Sequence, residues 1–248
     1  IGNWAFENCY DIISIVLPES LKSIGSGAFF NCTGLKSINI PNCVESVGAY
    51  AFKYSIITSI VIPKSVKRIG TEAFGACEKL ADVTCRAINP PILGSSVFYR
   101  NSFSVELCVP KESLESYASA GWYGYFTSIR ALDNSTILGN CGENLSWTLQ
   151  NGELVIVGEG EMFDFTSSSD TPSWYRYSNS IINATIGDGV TSIGNYAFYG
   201  CVNLTSITCE AVNPPTAEYG TFDGVNKSIP LYVSKTSISA YRSASYWQ

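Results

Sequence analysis

Leu35 to Phe52 reads L-K-S-I-N-I-P-N-C-V-E-S-V-G-A-Y-A-F. Leu35, Ile38 and Ile40 follow the spacing L-x-x-L-x-L, and Cys43 lies three residues beyond the last of them. Side chains of a strand alternate between faces, so Ile38 and Ile40 share one face while Ser37 and Asn39 share the other. Val44, Val47 and the pair Ala51-Phe52 form a second apolar set on the return path. One unit of this length cannot bury both sets by itself; it needs copies stacked on it.

The copies are present. Ile1-Gly2, Ile24-Gly25, Val47-Gly48 and Ile69-Gly70 recur at intervals of 23, 23 and 22 residues. Each is followed by an Ala-Phe pair (Ala5-Phe6, Ala28-Phe29, Ala51-Phe52, Ala73-Phe74), then by Cys9, Cys32, Ser55 or Cys77. The strand positions are Ile12-Ile15-Leu17, Leu35-Ile38-Ile40, Ile57-Ile60-Ile62 and Leu80-Val83-Cys85, three of them closed by Pro18, Pro41 and Pro63. Several columns held in phase at a period near 23 define a leucine-rich-repeat solenoid. The expected fold is a β-rich α/β right-handed superhelix of short strands with short helical or 3-10 turns.

At Arg86 the columns are expected to stop, since Asn89-Pro90-Pro91 breaks the period and proline cannot donate to a ladder. A strand at Val105–Val109 and a helix at 111–120 follow, so 86–132 reads as a cap on the last repeat. Residues 66–124 then recur at 190–248 without a gap: Ala73-Phe74 matches Ala197-Phe198, Asn89-Pro90-Pro91 matches Asn213-Pro214-Pro215, and Tyr117 matches Tyr241. Between the copies, Leu145–Leu149 and Leu154–Val157 alternate around Asn151-Gly152, a strong hairpin signal. Gly158 and Gly160 allow a sharp bend, and 167–171 is a polar loop. The expected organisation is two short solenoids in tandem. Residues 1–132 form a solenoid with its cap, and 133–248 form a hairpin cap, a short repeat and a second copy of the C-terminal cap.

Composition narrows the function. Of the 248 residues 46% are hydrophobic and 15% charged, which favours a packed core over disorder. The net charge of −6 disfavours nucleic acid, which selects a clustered positive face. Histidine is absent, which removes Ser-His-Asp and Cys-His catalysis within the chain. The nine cysteines lack C-x-x-C spacing, so most read as small buried hydrophobes and no metal site or cofactor is expected. No apolar run reaches the roughly 18 residues of a membrane span. The chain opens in mid-repeat, so it reads as a fragment whose signal and anchor lie elsewhere.

Three sets of residues remain as candidates. The outward strand columns are Ser14, Ser37, Ser59 and Asp82, with Val16, Asn39, Val61 and Thr84. This small, weakly charged face is either a solvated sheet or a broad contact surface for protein or glycan. Trp174, Tyr175 and Tyr177 form an aromatic patch of the kind that stacks on sugars or anchors protein contacts, unless it packs the loop against the second solenoid. Glu153, Glu159, Glu161 and Asp164 form an acidic cluster; two carboxylates facing each other across about 5–10 Å could cleave glycosides, but a solvated strand face is the plainer account.

The motif I-G-x-x-A-F-x-x-C-x-x-L-x-x-I-x-I-P resembles the repeat of BspA-like leucine-rich-repeat proteins of bacteria and some protists. The cap, with N-P-P and L-x-V-P-K-x-S-L-x-x-Y, and the segment Cys141–Met162 resemble modules that accompany such repeats. The resemblance implies a secreted or cell-surface binding protein, non-catalytic, whose partner is a protein or glycan of a host or neighbouring cell. In some members this is adhesion. A structural spacer that projects other domains is the alternative, and a glycan-processing enzyme a third.

Overall fold

A computed structural model of the chain describes residues 1–101, 105–166, 170–218 and 220–247. Residues 167–169 of the expected polar loop lie outside the described residues. The chain divides into two compact units, Ile1–Asn134 and Ser135–Gln248.

In the first unit the strands are β1 (Ser14–Ile15), β2 (Ser23–Ile24), β3 (Ser37–Ile38), β4 (Ser46–Val47), β5 (Ser59–Ile62), β6 (Arg68–Ile69), β7 (Asp82–Cys85), β8 (Ile92–Leu93), β9 (Glu106–Val109) and β10 (Ser128–Ala131). They alternate between two parallel sheets. β1 pairs with β3, and β5–β7–β9–β10 form one ladder. The second sheet runs β2–β4–β6–β8. Each coil therefore carries an expected strand on one side and a two-residue Ser-Ile type strand on another. The buried partners Ile24, Val47, Ile69 and the preceding Leu17, Ile40 and Ile62 face a common core.

The third side of each coil holds the Ala-Phe pair. It is a run of turns that also forms a ladder: the N–H groups of Gly27, Phe29 and Asn31 donate to the carbonyls of Ala49, Ala51 and Lys53, each at 2.8 Å. The chain reaches this geometry through two positive-φ residues four apart, such as Tyr50 and Tyr54, or Glu72 and Ala76. Between them Phe6, Phe29, Phe52, Phe74 and Phe98 stack with centroids 5.2, 5.4, 5.3 and 5.4 Å apart and planes within 8°. That spacing is close to the interstrand distance, as parallel coils in register require. A fully buried Phe contributes about 1.5–3 kcal/mol of burial.

The invariant step before each turn is glycine because neighbouring coils touch there. A Cβ on Gly48 would stand 2.4 Å from the Ser26 nitrogen, and one on Gly70 2.3 Å from the Ala49 nitrogen. Inside, the cysteine column is a polar ladder in an apolar core. Cys32 Sγ donates to the Phe6 carbonyl at 3.0 Å, and Ser55 fills the same column with a 2.7 Å bond to Phe52. All nine cysteines are free thiols; seven are buried, Cys9 is half-buried and Cys43 is exposed.

The solenoid does not stop at Arg86. Ile92–Leu93 pairs with Arg68–Ile69, Phe98 continues the ring stack, and a Cβ on Gly94 would meet the Thr71 nitrogen at 2.4 Å. Pro90-Pro91 lengthens the coil without ending it. The regular strand-and-turn coil changes later, at α1 (Leu114–Ser119), whose neighbour Trp122 packs on Tyr117 and Phe98.

The second unit begins with an antiparallel meander of β11 (Thr136–Asn140), β12 (Leu145–Gln150) and β13 (Glu153–Gly158). The β12–β13 turn is Asn151-Gly152, both at positive φ. Parallel coils follow: β14 (Gly160–Glu161), β15 (Asn183–Ile186), β16 (Val190–Ile193), β17 (Ser206–Cys209), β18 (Thr216–Ala217), β19 (Leu231–Val233) and α2 (Ile238–Ser243). β13–β15–β17–β19 form one ladder and β14–β16–β18 the other. The sequence copy is a structural copy: Tyr117 donates to the Ala87 carbonyl at 2.8 Å, and Tyr241 to the Ala211 carbonyl at 2.9 Å.

Candidate functional site

The outward columns of the first unit lie side by side. Ser14 is paired with Ser37, and Ser59 with Asp82; Val61 is paired with Thr84. Thr58 N–H donates to the Lys36 carbonyl at 3.4 Å, which joins the β3 coil to the β5 coil. Val16 is 96% exposed and Val61 39% exposed, so apolar side chains stand uncovered on this face. Ser14, Ser37, Asn39, Ser59 and Asp82 are exposed, and Thr84 is half-buried. Inward neighbours Ile60, Ile62, Val83 and Cys85 are buried, which fixes the orientation of the outward set. The face presents hydroxyls, one amide, one carboxylate and two valines on a rigid ladder. It pairs no nucleophile with a base.

The same columns change character at β9 and β10. Glu106 continues the Asp82 column and Cys108 the Thr84 column, yet both are buried. Arg130 Nε lies 2.9 Å from Glu106 Oε2, and Ser128 Oγ donates to Glu106 Oε1 at 2.9 Å. Arg130 also reaches Cys108 Sγ at 2.7 Å and donates to Asn134 Oδ1. Burial pushes the Cys108 thiol up, against the pull of the Arg130 guanidinium. The exposed face thus spans β1, β3, β5 and β7 and gives way to a closed charged cluster at β9.

Trp174 leaves the candidate set. It is fully buried, 5.6 Å from Trp147 at 74°, and its Nε1 donates to the Ala197 carbonyl at 2.9 Å. A side chain that serves as core cannot also serve as a stacking platform. Tyr177 is half-buried against the same core. Tyr175 is half-buried and stacks on Tyr199 at 5.9 Å. The patch is therefore mainly packing.

Of the acidic cluster, Glu159, Glu161 and Asp164 line one cleft together with Glu143. Glu153 stands apart, accepting from Thr185 Oγ1 at 3.2 Å. All four cleft carboxylates are exposed. An open cleft rimmed by exposed carboxylates fits a solvated acidic surface, the plainer of the two accounts. Among the described residues no three His, Cys, Asp or Glu side chains are grouped to hold a metal ion.

One set escaped the sequence reading. The second unit carries its own outward columns: Glu153, Asn183 and Ser206 in one, and Val155, Thr185, Thr208 and Tyr232 in the other. Ser206 Oγ and Thr205 Oγ1 both donate to Asn183 Oδ1, at 2.8 and 3.0 Å. The signal was available, since the duplication places Ser206 and Thr208 where Asp82 and Thr84 stand in the first copy.

The family profile described as BspA type leucine rich repeat region matches residues 1–121 and 171–246 in 6 copies. The chain belongs to this family of leucine-rich-repeat proteins. No curated protein matches it. Among solved structures, a leucine-rich repeat protein from Eubacterium ventriosum is 27% identical over 41% of this chain and 27% of its own length, with a TM-score of 0.36. A leucine rich cell surface protein from Faecalibacterium prausnitzii is 17% identical over 97% of this chain and 84% of its own, at TM-score 0.31. A leucine-rich repeat protein from Bacteroides ovatus is 17% identical over 96% of this chain and 62% of its own, at TM-score 0.33. The chain thus spans about a quarter of the first of these proteins. No helix among the described residues is long and apolar enough to cross a membrane.

Proposed function

We propose that this chain is a non-catalytic binding segment of a secreted or surface-displayed protein, and that it takes a protein ligand on the outward face of β1, β3, β5 and β7. The observation that carries this reading is the exposed row of Val16, Asn39 and Val61, continued by the half-buried Thr84, beside Ser14, Ser37, Ser59 and Asp82. Exposed valine between small polar groups on a rigid sheet suits a protein surface, where apolar contacts are ringed by hydrogen bonds. A glycan would favour aromatic platforms, and the aromatic patch that offered them is largely core.

The test is a binding screen of the chain against matrix proteins and a glycan array, with an Asn39→Arg/Ser59→Arg variant as control. A protein ligand whose affinity falls about tenfold or more in the variant supports the reading, since bulky charges in a contact patch cost at least about 1.4 kcal/mol. Binding that the variant leaves intact moves the site elsewhere. Silence across both screens favours a spacer.

A further inference from the structure

The duplicated segment carries an internal control on which residues of a coil serve the fold. Phe98 and Phe222 are buried in the ring stacks of the two copies, 5.4 Å from Phe74 and Phe198 respectively. The three residues that follow differ: Tyr99-Arg100-Asn101 in the first copy, Asp223-Gly224-Val225 in the second. Arg100 and Gly224 occupy the same left-handed step, at φ 58° and 84°. The coil closes with either set, so its backbone does not dictate the tyrosine, the arginine or the asparagine.

Those three residues line a cavity of about 480 Å³ together with Tyr123, Tyr125 and Thr127. Its volume is that of a small-ligand site, and it lies wholly within the first unit. The walls are aromatic. Tyr125 stands edge-on to Phe98 at 5.8 Å, and the exposed Tyr99 has the Arg100 guanidinium 5.6 Å from its ring centre. The polar groups are mainly donors. Asn101 Oδ1 accepts from the Cys77 N–H at 2.9 Å, and among the described residues the buried Asn101 Nδ2 has no partner. A buried donor left without an acceptor is costly, and a ligand oxygen would satisfy it. Burial, and then the charge of Glu115, pushes the Tyr123 hydroxyl up, so it holds its proton and can donate. Arg100 is the one charged group among the described lining residues, in a chain of net charge −6.

We propose that this cavity binds an acidic sugar residue of a glycan. The sugar ring lays its C–H face on the tyrosine rings, and its carboxylate meets the Arg100 guanidinium and Asn101 Nδ2. Aromatic faces hold the apolar side of such a ring, and a guanidinium matches a carboxylate with two parallel hydrogen bonds. A peptide carboxylate would supply the charge without a flat face to cover three tyrosines. The outward strand columns contribute no residue to the cavity, so this site and the protein-binding face can fail independently.

The experiment titrates short oligosaccharides of galacturonate, glucuronate and N-acetylneuraminate, each beside its methyl ester, into the whole chain by isothermal calorimetry. At least one acid form should bind saturably, about tenfold or more tighter than its ester. Arg100→Gly places at this step the residue that the second copy uses there; it should melt no lower than the parent and bind acid and ester alike. Asn101→Asp keeps the oxygen that Cys77 N–H needs and exchanges the donor for an acceptor, and should weaken the acid about tenfold or more. Thermal melts confirm that both variants fold. The proposal is overturned if no acid form binds, if acid and ester bind equally to the parent, or if both folded variants keep the parent affinity. A triglutamate peptide that competes at equal affinity also overturns it, by assigning the cavity to a peptide.

Discussion

Ser55 and Cys77 share one acceptor. The Phe52 carbonyl oxygen lies 2.7 Å from Ser55 Oγ and 3.2 Å from Cys77 Sγ, and the two side chains are 3.4 Å apart. This explains why serine can stand in a cysteine column without harm to the core: the column asks for a small side chain with one donor. Ser55→Cys should therefore leave stability within about 0.5 kcal/mol, while Ser55→Ala should cost about 1 kcal/mol for the lost buried hydrogen bond. Urea denaturation of the two variants measures this, and equal losses would contradict it.

The buried thiols make the fold sensitive to alkali. Burial pushes Cys77, Cys141 and Cys201 up from 9.0 to about 12. A raised acid binds its proton more tightly when folded. Its contribution is complete below the unfolded value and is lost as pH rises toward the folded one. Stability should therefore fall between about pH 9 and 12, at up to about 1.4 kcal/mol per pH unit for each such thiol. The midpoint of urea unfolding across this range reads the slope, and Cys77→Ala should flatten it. The same burial shields the thiols, so a thiol reagent at neutral pH should label Cys43 first and Cys77 only on unfolding.

Backbone conformation gives two substitutions of opposite sign. Ala76 sits at φ 52°, where an L side chain is strained by about 1–2 kcal/mol. Ala76→Gly relieves that strain at some cost in unfolded-state entropy, and should stabilise by about 0.5–1 kcal/mol. Gly48→Ala does the reverse. Its Cβ would be forced against the Ser26 backbone at 2.4 Å, where neither coil can yield, and should destabilise by about 2 kcal/mol or more. Thermal melts of both variants decide it; a stabilising Gly48→Ala would remove the close-contact account of the glycine column.

These substitutions also mark what the sequence could and could not disclose. The inward columns were legible because burial selects apolar residues at a fixed period, and Leu35, Ile38, Ile40 and Phe52 are all buried. The second sheet was not, since strands of two residues such as Ser46–Val47 are too short to alternate. The turn ladder was hidden because tyrosine, glutamate and alanine occupy positive-φ sites that normally announce themselves as glycine or asparagine. The fifth coil was masked by Val97 in the Ala column and Asn101 in the Cys column. Asn101 keeps the polar role there, its Oδ1 accepting from Cys77 N–H at 2.9 Å. The candidate face was read from alternation alone. Trp174 was misplaced because aromatic content cannot distinguish a core anchor from a surface platform.

The sharpest test of that face uses two adjacent residues. Ile38 is buried at 9% exposure and Asn39 is exposed, on opposite sides of one strand. Aspartate at position 38 would place a carboxylate against the apolar core without a partner, at a cost of several kcal/mol, roughly 3–5. Aspartate at position 39 would enter water and change stability by about 0.5 kcal/mol or less. Ile38→Asp should therefore lose its cooperative melt or shift it strongly, while Asn39→Asp should melt with the parent. In ligand binding the order should reverse: Asn39→Asp alters affinity in a protein that is fully folded. If instead both variants melt alike, the assignment of inward and outward columns fails, and with it the surface on which the binding proposal rests.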